Sequence, residues 1–341
     1  MDRTQLIETA QAIVADGKGI LAADESTPTI GKRFALIGAE NTEEKRAEYR
    51  ELLFMTEGME KYISGVILYD ETIRQSSLGE GVSFPKLLSG KGVLPGIKVD
   101  TGAKPLAGHA EEKVTEGLDG LRERLEEYYE LGARFSKWRA VITIGGGIPS
   151  RACLEVNAHA LARYAALCQE AGIVPIVEPE ILMDGSHSLD TCFEETEETL
   201  SIVFHELFKQ GVMLEGMILK PNMVISALDC SEQALVEEVA EATIECFLRV
   251  VPPAVPGICF LSGGQSDLVA TQHLTSMNAM NDALPWKLSF SYGRALQEAA
   301  LNAWGGKSEN IPKAQKAFYH RAQCNGAAAL GHYSNEMENQ V

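Results

Sequence analysis

Lys220 closes the run Gly216-Met217-Ile218-Leu219-Lys220, and Pro221-Asn222 follow it. Small and apolar residues ending in one ammonium and then a proline predict a buried strand whose last side chain enters a cavity. Pro221 disfavours the α region for the residue before it, so the strand holds as far as Lys220. A lysine is costly to bury, and a desolvated amine beside other cations becomes a nucleophile toward carbonyls. The plainer alternative for a strand-end lysine is to snorkel its head back to water. Taken alone, Lys220 favours that alternative; the other strand ends reverse the balance.

Eight short apolar segments recur along the 341 residues, each separated by a helical stretch. They are Gly19–Asp24, Gly65–Tyr69, Gly96–Asp100, Arg134–Arg139, Val174–Glu178, Gly216–Lys220, Gly257–Ser262 and Lys287–Ser291. Eight such strands alternating with helices predict an α/β fold, a single parallel (β/α)8 TIM barrel. Chemistry in that architecture sits at the carboxyl ends of the strands. Here those ends carry Asp24, Lys98, Lys137 with Arg139, Glu178 with Glu180, Lys220, Ser262, and Arg294 shortly after Ser291. Side chains alternate along a strand, so Lys137 and Arg139 share a face with Phe135 while Trp138 takes the other. Glu178 and Glu180 likewise fall on one side. One charge at a strand end is ordinary surface, but seven strands converging on one mouth with three lysines define an active site.

A magnitude constrains that site. Bringing a lysine from ~10.4 to near 7 takes about 4–5 kcal/mol. A second cation ~4 Å away supplies about 1 kcal/mol through water but about 4 at an effective dielectric of 20. Lys137 therefore serves as an activating neighbour only in a partly dehydrated pocket, which the apolar strands are suited to form.

Two loops suit phosphate. Leu261-Ser262-Gly263-Gly264-Gln265 follows the seventh segment and Phe290-Ser291-Tyr292-Gly293-Arg294 the eighth. Glycines let backbone N–H groups approach an anion, and an arginine grips it bidentately. Ser26, Thr29, Lys32 and Arg33 form a second basic cluster after the first segment, unless Lys32 and Arg33 merely line an exposed helix face. Two anion sites on one mouth point to a substrate phosphorylated at both ends.

The remaining sequence narrows the class. Apolar residues make up 45% and charged residues 23%, the balance of a globular protein with a large core. A net charge of -18 and a pI of about 4.9 argue against nucleic acid or an anionic membrane as partner. Seven scattered cysteines contain no C-x-x-C pair, and His187 and His205 lack partners at ligand spacing, so no metal site is expected. The cysteines read as buried thiols of a reducing, cytoplasmic protein. Met1 to Lys18 has helical spacing and no signal-peptide core, and no apolar run reaches membrane-spanning length. Helices are expected over Leu118–Leu131, with Leu118, Leu121, Leu125 and Tyr128 on one stripe, and over Val156–Gly172. One domain, 1–341, is expected: an N-terminal helix (1–18), the barrel (19–305), an inserted helical region near 40–60, and a C-terminal helical extension with a short tail (306–341). It exceeds the ~250 residues of a bare barrel. A doubly wound sheet would need a glycine fingerprint after the first strand, which Ala22-Ala23-Asp24-Glu25-Ser26 lacks, and Gly145-Gly146-Gly147 reads as a turn.

Taken in order, Leu21–Ser26, Gly96–Asp100, Lys137–Arg139, Val177–Ile181, Leu219–Met223, Leu261–Ser266 and Ser291–Arg294 resemble the motifs of class I fructose-bisphosphate aldolase. The resemblance runs from about residue 5 to 333. It implies metal- and cofactor-free cleavage of fructose 1,6-bisphosphate, with Lys220 as Schiff-base lysine, Glu178 as acid/base and Glu180 beside it. Asp24 would take the C4 hydroxyl proton, Lys137 would stabilise developing charge, and Lys98 and Arg139 would orient hydroxyls. Ser262, Gly263, Gly293 and Arg294 resemble the C1-phosphate site; Ser26, Thr29 and Arg33 resemble the C6-phosphate site. The resemblance also implies a homo-oligomer, a tetramer. Two departures are visible: Tyr333 is followed by a short tail ending at Val341 where animal members run on to a terminal tyrosine, and Thr101 stands where lysine is common. Another ketose phosphate, a transaldolase-like transfer, and a non-catalytic scaffold on the same fold are the competing readings.

Overall fold

The computed structural model describes residues 2–79, 81–280 and 283–339. Met1 and Val341, the ends of the domain expected above, lie outside those ranges. Ten strands occur among the described residues: β1 (Gly19–Ala23), β2 (Ile63–Leu68), β3 (Leu94–Lys98), β4 (Gly102–Pro105), β5 (Lys113–Glu116), β6 (Phe135–Ile142), β7 (Val174–Ile181), β8 (Ile218–Leu219), β9 (Gly257–Phe260) and β10 (Lys287–Tyr292). Eight of them close a parallel barrel in chain order, with β1 pairing both β2 and β10. Each of the eight segments read from sequence is one barrel strand. The antiparallel hairpin β4–β5 was not expected; it is short and its first strand is largely exposed, so it carries no apolar alternation to detect.

Two apolar layers account for the closure. Inside the barrel, Ile20, Ile67, Phe135, Val174, Ile176, Ile218 and Cys259 pack together, and Leu6, Ala10 and Ile13 of the helix Arg3–Ile13 join them. That helix starts where Asp2 accepts the N–H groups of Thr4 and Gln5, satisfying two of its orphan donors. The Phe135 ring fills the interior so fully that a Cβ on Gly96 would lie 2.3 Å from it. Glycine at that neighbour is a packing requirement.

Outside, Val66, Ile97, Trp138, Val177, Leu219 and Phe260 face the helical layer. Trp138, fully buried, stacks at a tilt on Tyr164 with ring centroids 5.5 Å apart. The expected helices are present as Leu121–Glu130, burying Leu121, Leu125 and Tyr128, and Arg151–Glu170. The second starts one turn earlier than its apolar pattern suggests because Ser150 caps it, accepting from the Cys153 N–H. The inserted region forms the helix Glu43–Phe54 and the C-terminal extension the helix Ile311–Ala328. One cluster of buried apolar residues runs from Leu21 to Tyr333, which supports our proposal of a single domain. Among the described residues, no helix is long and apolar enough to cross a membrane.

Candidate active site

Register places the charges. Lys98 lies opposite Lys137, Arg139 opposite Glu178, and Val141 opposite Glu180. Lys137 and Arg139 stand one and two steps above Phe135 on the inward face. The strand that leads into Lys220 is the shortest of the ten and ends at Leu219, one residue before the expected Lys220, because Pro221 has no N–H for the ladder. The Lys220 N–H still donates to Val177 O at 2.8 Å. Beyond it, the Asn222 side-chain oxygen replaces a main-chain acceptor and takes the Ile181 N–H at 3.0 Å. The Leu-Lys-Pro-Asn segment thus stops pairing at the residue whose side chain turns into the mouth.

A chain of alternating charge crosses that mouth. Lys137 Nζ lies 2.8 Å from Asp24 Oδ2 and 3.3 Å from Glu178 Oε2, and Lys220 Nζ lies 3.2 Å from Glu178 Oε1. Lys220 and Lys137 are each only 4% exposed and Glu178 3%, so these interactions act at low dielectric. Burial pushes the Asp24 carboxyl up, but Lys137, Lys220 and Lys98 outweigh it and hold it well below the usual carboxylate range. Glu178 is likewise pushed up by burial and brought below its ordinary value by Lys137, Lys220 and Arg139. Burial disfavours the Lys137 ammonium, yet Asp24, Glu178 and Asp100 raise its pKa above the ordinary lysine value, so it stays charged. Sequence reasoning placed a bare cation beside Lys220; the structure places a carboxylate between the two amines. Among the described residues no donor is aligned to hydrogen-bond Glu178 Oε2, although Lys137 Nζ stands 3.3 Å away, so that oxygen can take a proton.

Around this core, Arg139 pairs with Glu180, and the Arg139 N–H reaches Asp100 Oδ2 at 3.3 Å. Lys98 is held by Asp100 at 2.6 Å. Thr101, the departure noted above, is followed directly by β4, and its N–H donates to Glu116 O across the hairpin.

All fourteen site residues named from sequence line one cavity of about 290 Å³: Asp24, Ser26, Thr29, Arg33, Lys98, Lys137, Arg139, Glu178, Glu180, Lys220, Ser262, Gly263, Gly293 and Arg294. Lys32 does not; it is exposed on the helix Thr27–Leu36, the face expected of a surface residue. Ser26 begins that helix, its Oγ 3.0 Å from Thr29 Oγ1, with Arg33 further along. Across the mouth, Arg294 donates to Gly263 O at 2.7 Å and so ties the loop after β10 to the loop after β9. Gly263 has φ +56°, a conformation that favours glycine. Helix N-termini at both places suit anions, since unpaired N–H groups converge there.

Sequence reasoning gave Glu25 no role and named Ser291 only as part of the phosphate-suited loop; both also line the cavity. The other expectations sort cleanly. Gly145–Gly147 form a tight turn closed by Gly145 N–H to Ile148 O at 3.1 Å. All seven thiols are free. His205 is exposed, whereas the His187 ring nitrogens are buried with no partner among the described residues, contrary to the surface or hydrogen-bonded setting expected. His320, Cys324 and Glu338 bring ligand-type atoms together far along the chain, but both Glu338 oxygens are taken by Arg321 at 2.6 and 2.5 Å.

A closed parallel barrel whose mouth holds a buried lysine, a buried carboxylate and several further basic groups has the make-up of an enzyme acting on anionic carbonyl compounds. Residues 5–341 match the glycolytic family profile "Fructose-bisphosphate aldolase class-I". The chain is 61% identical over 332 residues to a probable class 1 fructose-bisphosphate aldolase of Xanthomonas campestris, covering 97% of this chain and 99% of the relative. It is 52% identical to the cytosolic fructose-bisphosphate aldolase 4 of Arabidopsis thaliana, covering 98% and 85%. A co-crystal structure of the Plasmodium falciparum aldolase superposes with a TM-score of 0.96 at 50% identity, covering 97% and 96% of the two chains. This chain belongs to the class I fructose-bisphosphate aldolase family.

Proposed function

We propose that this enzyme reversibly cleaves fructose 1,6-bisphosphate to dihydroxyacetone phosphate and glyceraldehyde 3-phosphate, a step of glycolysis and gluconeogenesis, through an imine on Lys220. The observation that carries the reading is the Lys220–Glu178–Lys137–Asp24 chain inside a dry barrel mouth.

Lys220 Nζ attacks the C2 carbonyl carbon. Glu178, within 3.2 Å, moves the proton that converts the carbinolamine hydroxyl into departing water. The protonated imine is the electron sink for the C3–C4 bond, so the chemistry requires neither metal nor cofactor. Asp24, kept ionised chiefly by Lys137, accepts the C4 hydroxyl proton as that bond breaks. The aldehyde leaves, C3 of the enamine is reprotonated, and water releases the ketone. Lys137 offsets charge developing on the sugar oxygens. Lys98 and Arg139 orient the hydroxyls, and Glu180 fixes Arg139. Ser262, Gly263, Gly293 and Arg294 hold the C1 phosphate; Ser26, Thr29 and Arg33 hold the C6 phosphate. Two anion-binding ends favour this substrate over a transaldolase-like transfer, which needs one.

The test is product formation from fructose 1,6-bisphosphate in excess EDTA, wild type against Lys220→Met. The reading requires cleavage that survives chelation and is lost in the variant; cleavage that stops with chelator contradicts it. A cytoplasmic location and a homo-tetramer belong to the same reading and are inferred from the family. Sedimentation of the purified protein at micromolar concentration tests the second.

A further inference from the structure

Glu25 follows Asp24 in the chain and lines the cavity, yet the mechanism above does not use it. Its side chain is only 6% exposed and is gripped on both oxygens. Oε1 takes Arg33 Nη1 and, at 3.0 Å, the amide of Gln297. Oε2 takes Arg50 Nη2 at 2.6 Å. Arg50 belongs to the helix Glu43–Phe54, is 2% exposed and does not line the cavity. Its other terminal nitrogen, Nη1, is buried with no partner among the described residues. Gln297 is oriented in turn: its amide also donates to Ala22 O at 2.6 Å, and its oxygen accepts from Tyr49 OH at 3.1 Å. Two guanidinium groups therefore share one carboxylate, and the buried cluster carries an excess positive charge beside Ser26 and Thr29.

The excess decides what Arg33 can do. A guanidinium that alone neutralised a buried carboxylate could not leave it for a ligand, because the carboxylate would then stand unpaired at low dielectric. Arg50 keeps Glu25 paired whatever Arg33 does. Arg33 is then free to give a fork of N–H donors to an anion while Glu25 still sets its position.

We propose that Arg50, acting through Glu25, is a positioning residue that makes the Arg33 charge available to the distal phosphate, and so sets the preference for a ketose bisphosphate over the same ketose phosphorylated only at C1. The proposal rests on the functional reading above and deepens it. Glu25 and Arg50 do not touch the reacting atoms. Their effect belongs in the binding of one end of the substrate and not in bond cleavage.

The experiment is steady-state cleavage of fructose 1,6-bisphosphate and fructose 1-phosphate by wild type, Arg50→Met and Arg50→Lys, with thermal melts of each. Loss of one buried charge contact predicts roughly a tenfold fall in the ratio of kcat/KM values, bisphosphate over monophosphate, in Arg50→Met. The loss is expected in KM for the bisphosphate. Arg50→Lys, which keeps the charge, should restore most of the ratio. If Arg50→Met does not fold, Arg50→Gln carries the same prediction, because it keeps a donor for Glu25 but no charge. A ratio unchanged in the folded uncharged variant, or both substrates falling together, overturns the proposal. Failure of the functional reading looks different: the wild-type enzyme itself would not cleave the bisphosphate.

Discussion

At the scale of residues, the two buried lysines have different obligations. Lys137 answers two carboxylates, Asp24 and Glu178, whereas Lys220 answers only Glu178, which Lys137 also approaches. Lys220→Met should therefore end cleavage while leaving Glu178 compensated, with a melting temperature close to wild type. Lys137→Met leaves Glu178 to Lys220 but strands the Asp24 carboxylate, and should cost roughly 3–5 kcal/mol as well as activity. Denaturant titration of the two variants checks the contrast, and equal stability loss in both would refute this division of charge. Lys220, Glu178, Asp24 and Lys137 were legible in the sequence because seven apolar runs end in such groups, and a barrel brings those ends to one mouth, whereas any one of them alone reads as surface. Arg50 was not: on a helix rich in glutamate and arginine it looks like solvent-facing surface, and its partner Glu25 is 25 positions away. Gln297, 272 positions from Glu25, left no local signal.

Elements set how precisely these side chains are held. The loop after β9 is steadied from behind by His273 on the helix Asp267–Ala279, whose Nδ1 lies 2.6 Å from the Gln265 side-chain amide. Burial is the main cause that lowers His273 from 6.5 to about 4, so the folded protein holds it neutral. The unfolded chain takes up that proton first as pH falls. Stability from this group is thus complete above pH 6.5 and drains away between about 6.5 and 4, by up to roughly 3 kcal/mol. Asp24 and Glu178, depressed carboxylates, contribute stability above their ordinary values of 3.8 and 4.5 that is lost only below them. Urea midpoints should accordingly fall in two stages on acidification, and His273→Gln should shrink the upper stage, to which the burial-lowered His187 also contributes; an upper stage undiminished by the substitution contradicts the role given to His273. Within the barrel, Gly96→Ala drives a methyl against the Phe135 ring and should cost roughly 1–3 kcal/mol, as overpacked cores do. The eight barrel strands could be read because each is a short apolar run set off from the next by a helical stretch. The β4–β5 hairpin could not, since its four-residue strands are mostly solvated.

For the molecule as a whole, a substrate of high negative charge meets a protein of net charge -18. The cavity resolves the conflict locally, with Arg33, Lys98, Lys137, Arg139, Lys220 and Arg294 set against Asp24, Glu25, Glu178 and Glu180. At about 10 mM salt the Debye length is ~30 Å, and an approaching bisphosphate feels the whole acidic surface; at about 150 mM it is ~8 Å, and the mouth dominates. KM for the bisphosphate should therefore fall as potassium chloride rises over that range. A steady increase would mean that the field of the mouth already governs encounter at low salt. Every role assigned here depends on a covalent bond at one side chain in the dry centre of the barrel. Borohydride added to the enzyme with dihydroxyacetone phosphate, followed by peptide mapping with mass spectrometry, tests that bond. The account predicts one reduced adduct, on the peptide containing Lys220. Turnover with Lys220 unmodified, or an adduct on another lysine, would contradict it.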